Sequence, residues 1–171
     1  NEKISKDAIF CNDRTISSTS TTTYKNTGYG VTPSIYGYER FYTWGGVAAR
    51  GPRLTCPQSN DKFSVSTITG NGALTYPIGL ITADEVNMAG GKTSAQNTLY
   101  YLYSGTNYWT MSPSHFRDWS SAGEFFVAST GELYGWDPVY YGFGVRPVIN
   151  LAPTKITFTG IGTKEDPFVI E

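Results

Sequence analysis

The segment from residue 107 to residue 151 constrains the fold most, because it combines strand-like runs with a dense aromatic stretch. Residues 108–111 and 124–128 are apolar runs typical of strands. Residues 129–132, Ser-Thr-Gly-Glu, have the composition of a hairpin turn. A third strand is predicted for residues 144–151. The segment therefore predicts a sheet interrupted by one unusually aromatic connection.

That connection carries five aromatic rings within ten positions, set beside Gly135, Pro138 and Gly142. Gly and Pro interrupt the alternation by which a strand sends side chains to opposite faces, so not all of these rings can enter one core. Clustered exposed rings usually mark a contact surface. The alternative is that many of the rings are partly buried and only hold down loops. We predict a binding surface with a first and a second wall, made by Tyr134, Trp136, Asp137, Tyr140, Tyr141 and Phe143, and by His115, Phe116 and Trp119.

The composition indicates one β-rich globular domain. The 171 residues are 39% hydrophobic and only 16% charged, with 13 Tyr and 4 Trp, which argues against intrinsic disorder. A net charge of −1 with scattered basic residues argues against nucleic acid as a partner. No apolar run approaches the roughly 18 residues that cross a bilayer, and no signal peptide is visible. A secretion signal or membrane anchor removed by processing remains compatible with this sequence.

Cys11 and Cys56 are the only cysteines and lack the close spacing of a CxxC redox or zinc pair. In a Thr- and Tyr-rich chain of extracellular character we predict a disulfide between them. Such a bond would stabilise the fold by roughly 4 kcal/mol through chain entropy. Two buried free thiols are the alternative.

Thr82 to Glu85 form a capping-box sequence, in which the Thr82 hydroxyl accepts from the Glu85 N–H and the Glu85 carboxylate returns to the Thr82 N–H. Asp84 and Glu85 also suit the positive end of a helix dipole. The sequence predicts a short helix that ends at Gly90-Gly91. A catalytic or metal role for this acidic pair is the alternative.

Catalytic and metal-binding motifs are missing from the chain. His115 is the single histidine, and the sequence contains no G-x-S-x-G motif that would supply a serine nucleophile for it. One histidine and two distant cysteines are also an unsuitable ligand set for zinc. EF-hand, P-loop and dinucleotide fingerprints are also missing. We predict a non-catalytic protein without metal or cofactor.

Arg146 lies next to Pro147 inside the apolar run of residues 144–151, where a charge is costly unless it is paired. We predict a structural partner such as Asp84 or Glu85. The alternative is that Arg146 lies at the base of the aromatic connection and meets a carboxylate of a ligand.

Four stretches resemble one family of bacterial surface domains with a C-type-lectin-like fold. They are residues 76–90 (YPIGLITADEVNMAG), 108–113 (YWTMSP), 128–131 (ASTG) and, above all, 144–151 (GVRPVINL). The resemblance covers residues 74–171 and is weak before residue 70. It implies a single α+β domain with a twisted antiparallel sheet, one or two short helices and long loops. Residues 1–73 would be a loop-rich N-terminal part fastened by the disulfide.

The same fold serves formylglycine-generating enzymes and the variable proteins of diversity-generating retroelements. The resemblance implies a non-catalytic adhesive domain on a bacterial surface or pilus, with an unknown protein or glycan as ligand and pilus subunits as possible partners. A membrane would be reached only through a removed N-terminal anchor. The Glu-Pro-Asn, Gln-Pro-Asp and Trp-Asn-Asp strings of calcium-dependent lectins do not occur, so we predict binding without calcium.

Two further functions remain alternatives, together with the question of diversification. One is a structural pilin-like or wall-assembly subunit. The other is a degenerate enzyme of the formylglycine-generating type, although Cys11 and Cys56 lie in the N-terminal half, unlike the cysteines of those enzymes. In diversified relatives, mutation at template adenines replaces Asn codons. Residues 134–143 contain no Asn, and Trp136 cannot arise from an AAC codon in that way.

Overall fold

The structure is a computed structural model that describes residues 3–18, 33–43, 48–117, 121–154, 156–163 and 165–170. It is mostly sheet with few helices, in agreement with the α+β class expected from the sequence. The elements, in chain order, are β1 (Phe10–Cys11), β2 (Ser34–Ile35), α1 (Tyr38–Phe41), a 3₁₀ turn (Ser59–Asp61), β3 (Lys62–Phe63), α2 (Ala83–Ala89), β4 (Tyr108–Arg117), β5 (Ser121–Val127), β6 (Leu133–Tyr134), β7 (Phe158–Thr159) and β8 (Val169–Ile170).

The main sheet has four antiparallel strands in the order β2-β4-β5-β6. The long pair β4–β5 runs from Tyr108 opposite Val127 to Arg117 opposite Ser121. The strands predicted at residues 108–111 and 124–128 are thereby confirmed, and β4 continues beyond its predicted end. It does so through Pro113, where the register shifts on both sides. A proline has no N–H for the ladder, and an irregularity in the strand accommodates it.

The predicted hairpin turn at residues 129–132 is confirmed, since it joins β5 to β6. The Ala128 N–H donates to the Glu132 carbonyl at 2.8 Å, and the Gly131 N–H donates to the Ala128 carbonyl at 2.8 Å. Gly131 has φ +79°, and a Cβ there would lie 1.7 Å from the Asn97 carbonyl oxygen. Only glycine fits this position.

The connection after β6 first follows β5 and then crosses the sheet. Pro138 bridges Gly123, and the Val139 N–H donates to the Ala122 carbonyl, so the chain still lies on the β6 side of β5. Gly144 then pairs with Tyr108 at the start of β4, on the side of β4 away from β5. Residues 139–143 therefore pass over one face of the sheet, and we call them the crossing loop.

Residues 144–151 do not form the third strand that the sequence predicts. They make three isolated bridges instead, from Gly144 to Tyr108, from Val148 to Gly79 and from Leu151 to Ile4. The three partners come from different parts of the chain, and Pro147 cannot donate to a ladder. An extended segment that changes its neighbour every few residues cannot build a regular strand.

Helix α2 begins at the predicted capping box. The Thr82 hydroxyl accepts from the Glu85 N–H at 3.1 Å, and a Glu85 carboxylate oxygen accepts from the Thr82 N–H at 2.8 Å. The helix ends at Gly90, which has φ +120°. The Ala83 N–H donates to the Ser112 hydroxyl at 2.9 Å and so fixes the helix start against β4.

The core lies between the main sheet and the two helices, and the N-terminal part of the chain contributes to it. Tyr38 and Phe41 of α1 are buried with Ala83 and Val86 of α2. On the sheet they meet Phe125 and its neighbours on β4 to β6. Residues 33–43 are thus built into the domain, through β2 and through the rings of α1.

The predicted disulfide is confirmed between Cys11 and Cys56, with a Cα–Cα distance of 5.8 Å. It ties β1 to the irregular segment before the 3₁₀ turn. A disulfide fits a secreted or extracellular protein, because the cytosol keeps thiols reduced. In the described part of the chain, no helix is long and apolar enough to cross a membrane.

A buried ion network next to the core accounts for Asp84. Arg40 donates from Nε to Asp84 Oδ1 at 2.7 Å and from Nη2 to Asp84 Oδ2 at 2.8 Å, and from Nη1 to Asp13 Oδ2 at 3.0 Å. All three side chains are buried. The predicted pairing of Asp84 with Arg146 is therefore wrong, because Arg40 already binds both carboxylate oxygens of Asp84.

Candidate ligand-binding surface

Strands β4, β5 and β6 present two different faces. On the inner face, Tyr108, Val127 and Leu133 lie side by side and are at most 2% exposed. One residue along each strand, Trp109, Phe126 and Tyr134 also lie side by side, on the opposite face. Successive side chains of a strand point to opposite faces, so this second row forms the outer face of the sheet.

The crossing loop adds rings to that outer row. Phe143 lies with its ring centroid 4.6 Å from those of both Trp109 and Phe126. Phe126 in turn has edge-on contacts with Trp109 at 5.7 Å and with Tyr134 at 5.4 Å. Such offset and edge-on pairs are the favoured geometries of aromatic rings. Phe143 thereby anchors the crossing loop on the sheet.

Two tyrosines of the crossing loop face solvent. Tyr140 is 71% exposed and Tyr141 is 45% exposed. Their ring centroids are 5.0 Å apart, and the Tyr141 ring stacks at 5.9 Å on Phe143. We call the six connected rings the outer aromatic surface: Trp109, Phe126, Tyr134, Tyr140, Tyr141 and Phe143. It has accessible rings at its top and a packed sheet beneath them.

Trp136 and His115 do not belong to this surface, contrary to the sequence-based prediction. Trp136 is half-buried against the core, with its ring centroid 4.7 Å from that of Tyr38 and 5.4 Å from that of His115. His115 is 1% exposed. Between the bridged positions Tyr134 and Pro138 the chain makes an irregular step, and it places Trp136 on the inner side.

His115 is buried and hydrogen-bonded inside the domain. Its Nδ1 lies 3.2 Å from the Gly135 carbonyl oxygen and 3.0 Å from the Ser114 hydroxyl. Because a carbonyl oxygen can only accept, Nδ1 carries the proton in the contact with Gly135. Burial lowers the pKa of His115 to about 4. The ring also fills the space at Gly123, where a Cβ would lie 2.2 Å from His115 Cε1. A ligand at the surface cannot reach this imidazole.

The remaining predicted ligand residues are distributed as follows. Phe116 is half-buried, opposite Ala122 on β5. Asp137 is half-buried just before the crossing loop, and burial raises the pKa of its carboxyl group. Trp119 lies outside the described residues.

Glu124 is a residue of this face that the sequence reasoning missed. It lies two positions before Phe126 on β5, opposite Pro113, and therefore on the outer face. The side chain is half-buried, and within the described chain its carboxylate has neither a hydrogen-bond partner nor an ion-pair partner. Burial raises the pKa of Glu124 to about 7. The available signal was a single acid at the head of the apolar run 124–128.

Arg146 is exposed and lies at the foot of the crossing loop. Its Nη1 donates to the Leu102 carbonyl at 3.1 Å, and its guanidinium lies 4.8 Å from the centroid of the Tyr108 ring. Tyr108 belongs to the inner face, so Arg146 lies around the sheet edge from the exposed tyrosines. The carbonyl and the ring hold the cation in place, without the acidic partner that the sequence suggested.

A cavity of about 240 Å³ lies beside the disulfide, and none of the six rings of the outer aromatic surface lines it. Its charged lining includes Asp13, Arg53 and Asp84. Arg53 donates from its backbone N–H to Asp84 and from Nη2 to Asp13, both at 2.8 Å. Since these polar groups already satisfy one another, the cavity belongs to the ion network that holds the N-terminal part.

The described residues contain no group of three or more His, Cys, Asp or Glu that could hold a metal ion. Comparison of the chain with protein-family models, with curated proteins and with solved structures finds no match.

Proposed function

We propose that this chain is a non-catalytic ligand-binding domain of the C-type-lectin-like type, displayed outside a bacterial cell on its surface or on a pilus. It binds a protein or glycan ligand through the outer aromatic surface, without calcium. One observation carries the proposal. Tyr140 and Tyr141 are exposed to solvent, and Tyr141 stacks on Phe143, which is packed on the sheet.

Anchored tyrosines suit recognition for two physical reasons. A Tyr side chain has few rotatable bonds, so little conformational entropy is lost when it is immobilised in a complex. Its ring supplies apolar area and its hydroxyl supplies a hydrogen bond. Phe143 holds the crossing loop against Trp109 and Phe126, which reduces the cost of ordering the loop on binding.

The other supports are the extracellular character and the resemblance. The disulfide favours an oxidising compartment. The mostly antiparallel fold with long connections is compatible with the C-type-lectin-like architecture that the four sequence stretches suggest. The buried, hydrogen-bonded His115 supports a non-catalytic role, because a general base must reach its substrate.

The test is a binding screen with immobilised glycans and with intact bacterial cells. The wild-type protein is compared with a Tyr140→Ala/Tyr141→Ala double variant and with a Tyr76→Ala/Tyr101→Ala control, whose tyrosines are 69% and 94% exposed elsewhere in the chain. We expect the first variant to lose most of the binding and the control to keep it. Equal binding by all three proteins would contradict the proposal.

Diversification by a retroelement is a finer version of this proposal. The crossing loop is surface-exposed except at Phe143, and exposed loop positions tolerate many side chains. A reverse-transcriptase gene beside the coding sequence, with an adenine-mutated repeat of codons 107–143, is the expected genomic signature. An invariant loop in closely related strains without such a gene would contradict it.

A second candidate is a structural pilin-like or wall-assembly subunit, and the β7–β8 hairpin favours it. Phe158 and Phe168 are 54% and 63% exposed and contact one another edge-on at 6.2 Å. Exposed apolar pairs of this kind promote self-association. Size-exclusion chromatography at rising concentration, with and without Phe158→Ser/Phe168→Ser, tests it. Concentration-dependent oligomers that the substitutions abolish would favour assembly over ligand binding.

A further inference from the structure

Glu124 places a carboxyl group beneath the surface that we propose as the ligand site, and within the described chain this group has no counter-charge. Ala122, Glu124 and Phe126 are alternate residues of β5 and share the outer face. The crossing loop begins at Val139, hydrogen-bonded to Ala122, and reaches Phe143, packed on Phe126. The loop thus spans the part of the sheet that carries Glu124 and takes its carboxyl group partly out of water.

The cations nearest in sequence to this face are engaged elsewhere. The Arg117 guanidinium lies 5.9 Å from the ring centroid of Trp136, and that of Arg146 lies over Tyr108, both rings of the inner side. Asp137 adds a second half-buried carboxyl group just before the crossing loop, and in the described part of the chain it too lacks an ion-pair partner. The outer face therefore combines electron-rich ring faces with the Glu124 carboxyl group, which the described chain does not neutralise, and Asp137 lies nearby in sequence.

We infer that the outer aromatic surface binds a positively charged side chain, lysine or arginine, presented by a protein partner. The inference rests on the proposed function and specifies its ligand. A cation is attracted to the faces of aromatic rings and also balances a half-buried carboxylate. A neutral sugar could stack on the tyrosines but would supply no counter-charge for the ionised form of Glu124. Charge complementarity therefore favours a basic protein segment over a neutral glycan.

The test is an NMR titration of the whole chain with small capped amino acids. The charged probes are Nα-acetyl-lysine methylamide and Nα-acetyl-arginine methylamide. Their uncharged counterparts carry norleucine and citrulline, and methyl glycosides form a neutral-sugar arm. Shifts of the Trp109 indole N–H and the Tyr141 ring report binding. We expect the charged probes to bind at least about tenfold more tightly than their uncharged counterparts.

Two variants locate the charge. Glu124→Gln should reduce affinity for the charged probes about tenfold, while Asp7→Asn, an exposed acid in the N-terminal part, should leave it unchanged. The wild-type comparison of charged with uncharged probes requires no substitution, so it decides the question even if Glu124→Gln folds poorly.

Several results would overturn the inference. One is equal affinity for the charged and the uncharged probes, and another is unchanged affinity for the charged probes in Glu124→Gln. The others are the absence of chemical-shift changes with both charged probes, or chemical-shift changes with the glycosides alone. None of them removes the proposed function if Tyr140→Ala/Tyr141→Ala still abolishes binding in the cell and glycan screen. Loss of that dependence on the tyrosines would instead remove both proposals.

Discussion

The inner and outer faces of the main sheet use similar aromatic side chains for different purposes. On the inner face, Tyr108, Phe125 and His115 are at most 2% exposed and are packed in the interior. On the outer face the six rings contact one another in series. The rings on the sheet are packed, whereas Tyr140 and Tyr141 in the crossing loop are exposed. The same three strands carry both faces.

The difference lies in what covers each face. The inner face is covered by two helices, whose buried side chains complete a core. Among the described residues, the element that covers the outer face is the crossing loop, which is anchored there by Phe143. A loop of five residues cannot bury all the rings that the sequence supplies. The number of aromatic rings therefore does not distinguish the core from a contact surface. The element that covers each face distinguishes them.

The largest expected contrast is in stability. Phe125→Ala should lower the free energy of unfolding by about 3–5 kcal/mol, because it opens a cavity in the core. Tyr140→Ala should change it by less than about 0.5 kcal/mol, because the ring is exposed. Urea denaturation of both variants measures the contrast. Similar losses in the two variants would break the distinction between the faces.

Low pH should reduce the stability of the protein through His115 on the inner face. The pKa of His115 in the folded protein is about 4, below its ordinary value of 6.5, so the fold requires the neutral imidazole. The stability linked to this group is therefore present above pH 6.5 and decreases as pH falls toward 4, by about 2 kcal/mol. Unfolding free energies at pH 7 and pH 4 should show a correspondingly smaller loss in His115→Asn. An equal loss in both proteins would show that His115 is protonated freely in the folded state.

Glu124 on the outer face should make the free energy of unfolding depend on pH in the opposite direction. The pKa of Glu124 in the folded protein is about 7, above its ordinary value of 4.5, so the fold favours the protonated carboxyl group. The associated stability is present below pH 4.5 and is lost as pH rises through 7. Glu124→Gln should therefore stabilise the protein at pH 8 by about 1 kcal/mol, a value reduced for partial solvent screening, and have little effect at pH 4. Thermal unfolding at the two pH values measures this, and a stabilisation confined to pH 4 would contradict the assignment.

Features encoded within a few residues could be predicted from the sequence. The capping box depends on Thr82 and Glu85 alone, and the turn before β6 depends on Gly131 and its neighbours. The disulfide followed from there being only two cysteines in a chain of extracellular character. In each case the physical cause is local or has a single available partner.

Features that depend on contacts distant in sequence could not be predicted. Asp84 binds Arg40, which lies 44 positions away, and no local pattern identifies that arginine over Arg146. The allocation of rings also depends on the path of the chain. Trp136 and Tyr134 are two positions apart, yet the irregular step between β6 and Pro138 directs them to opposite sides. Periodicity gives no indication of such a step.

The central claim is that Tyr140 and Tyr141 on the outer face are accessible to solvent while the tyrosines of the inner core are buried. Photochemically induced nuclear polarisation with a flavin dye tests it directly, because a tyrosine ring is polarised only when the dye can touch it. We predict strong signals from Tyr140 and Tyr141, assigned by their disappearance in Tyr140→Phe and Tyr141→Phe, and no signal from Tyr38 or Tyr108. Silent rings at positions 140 and 141 would contradict the account.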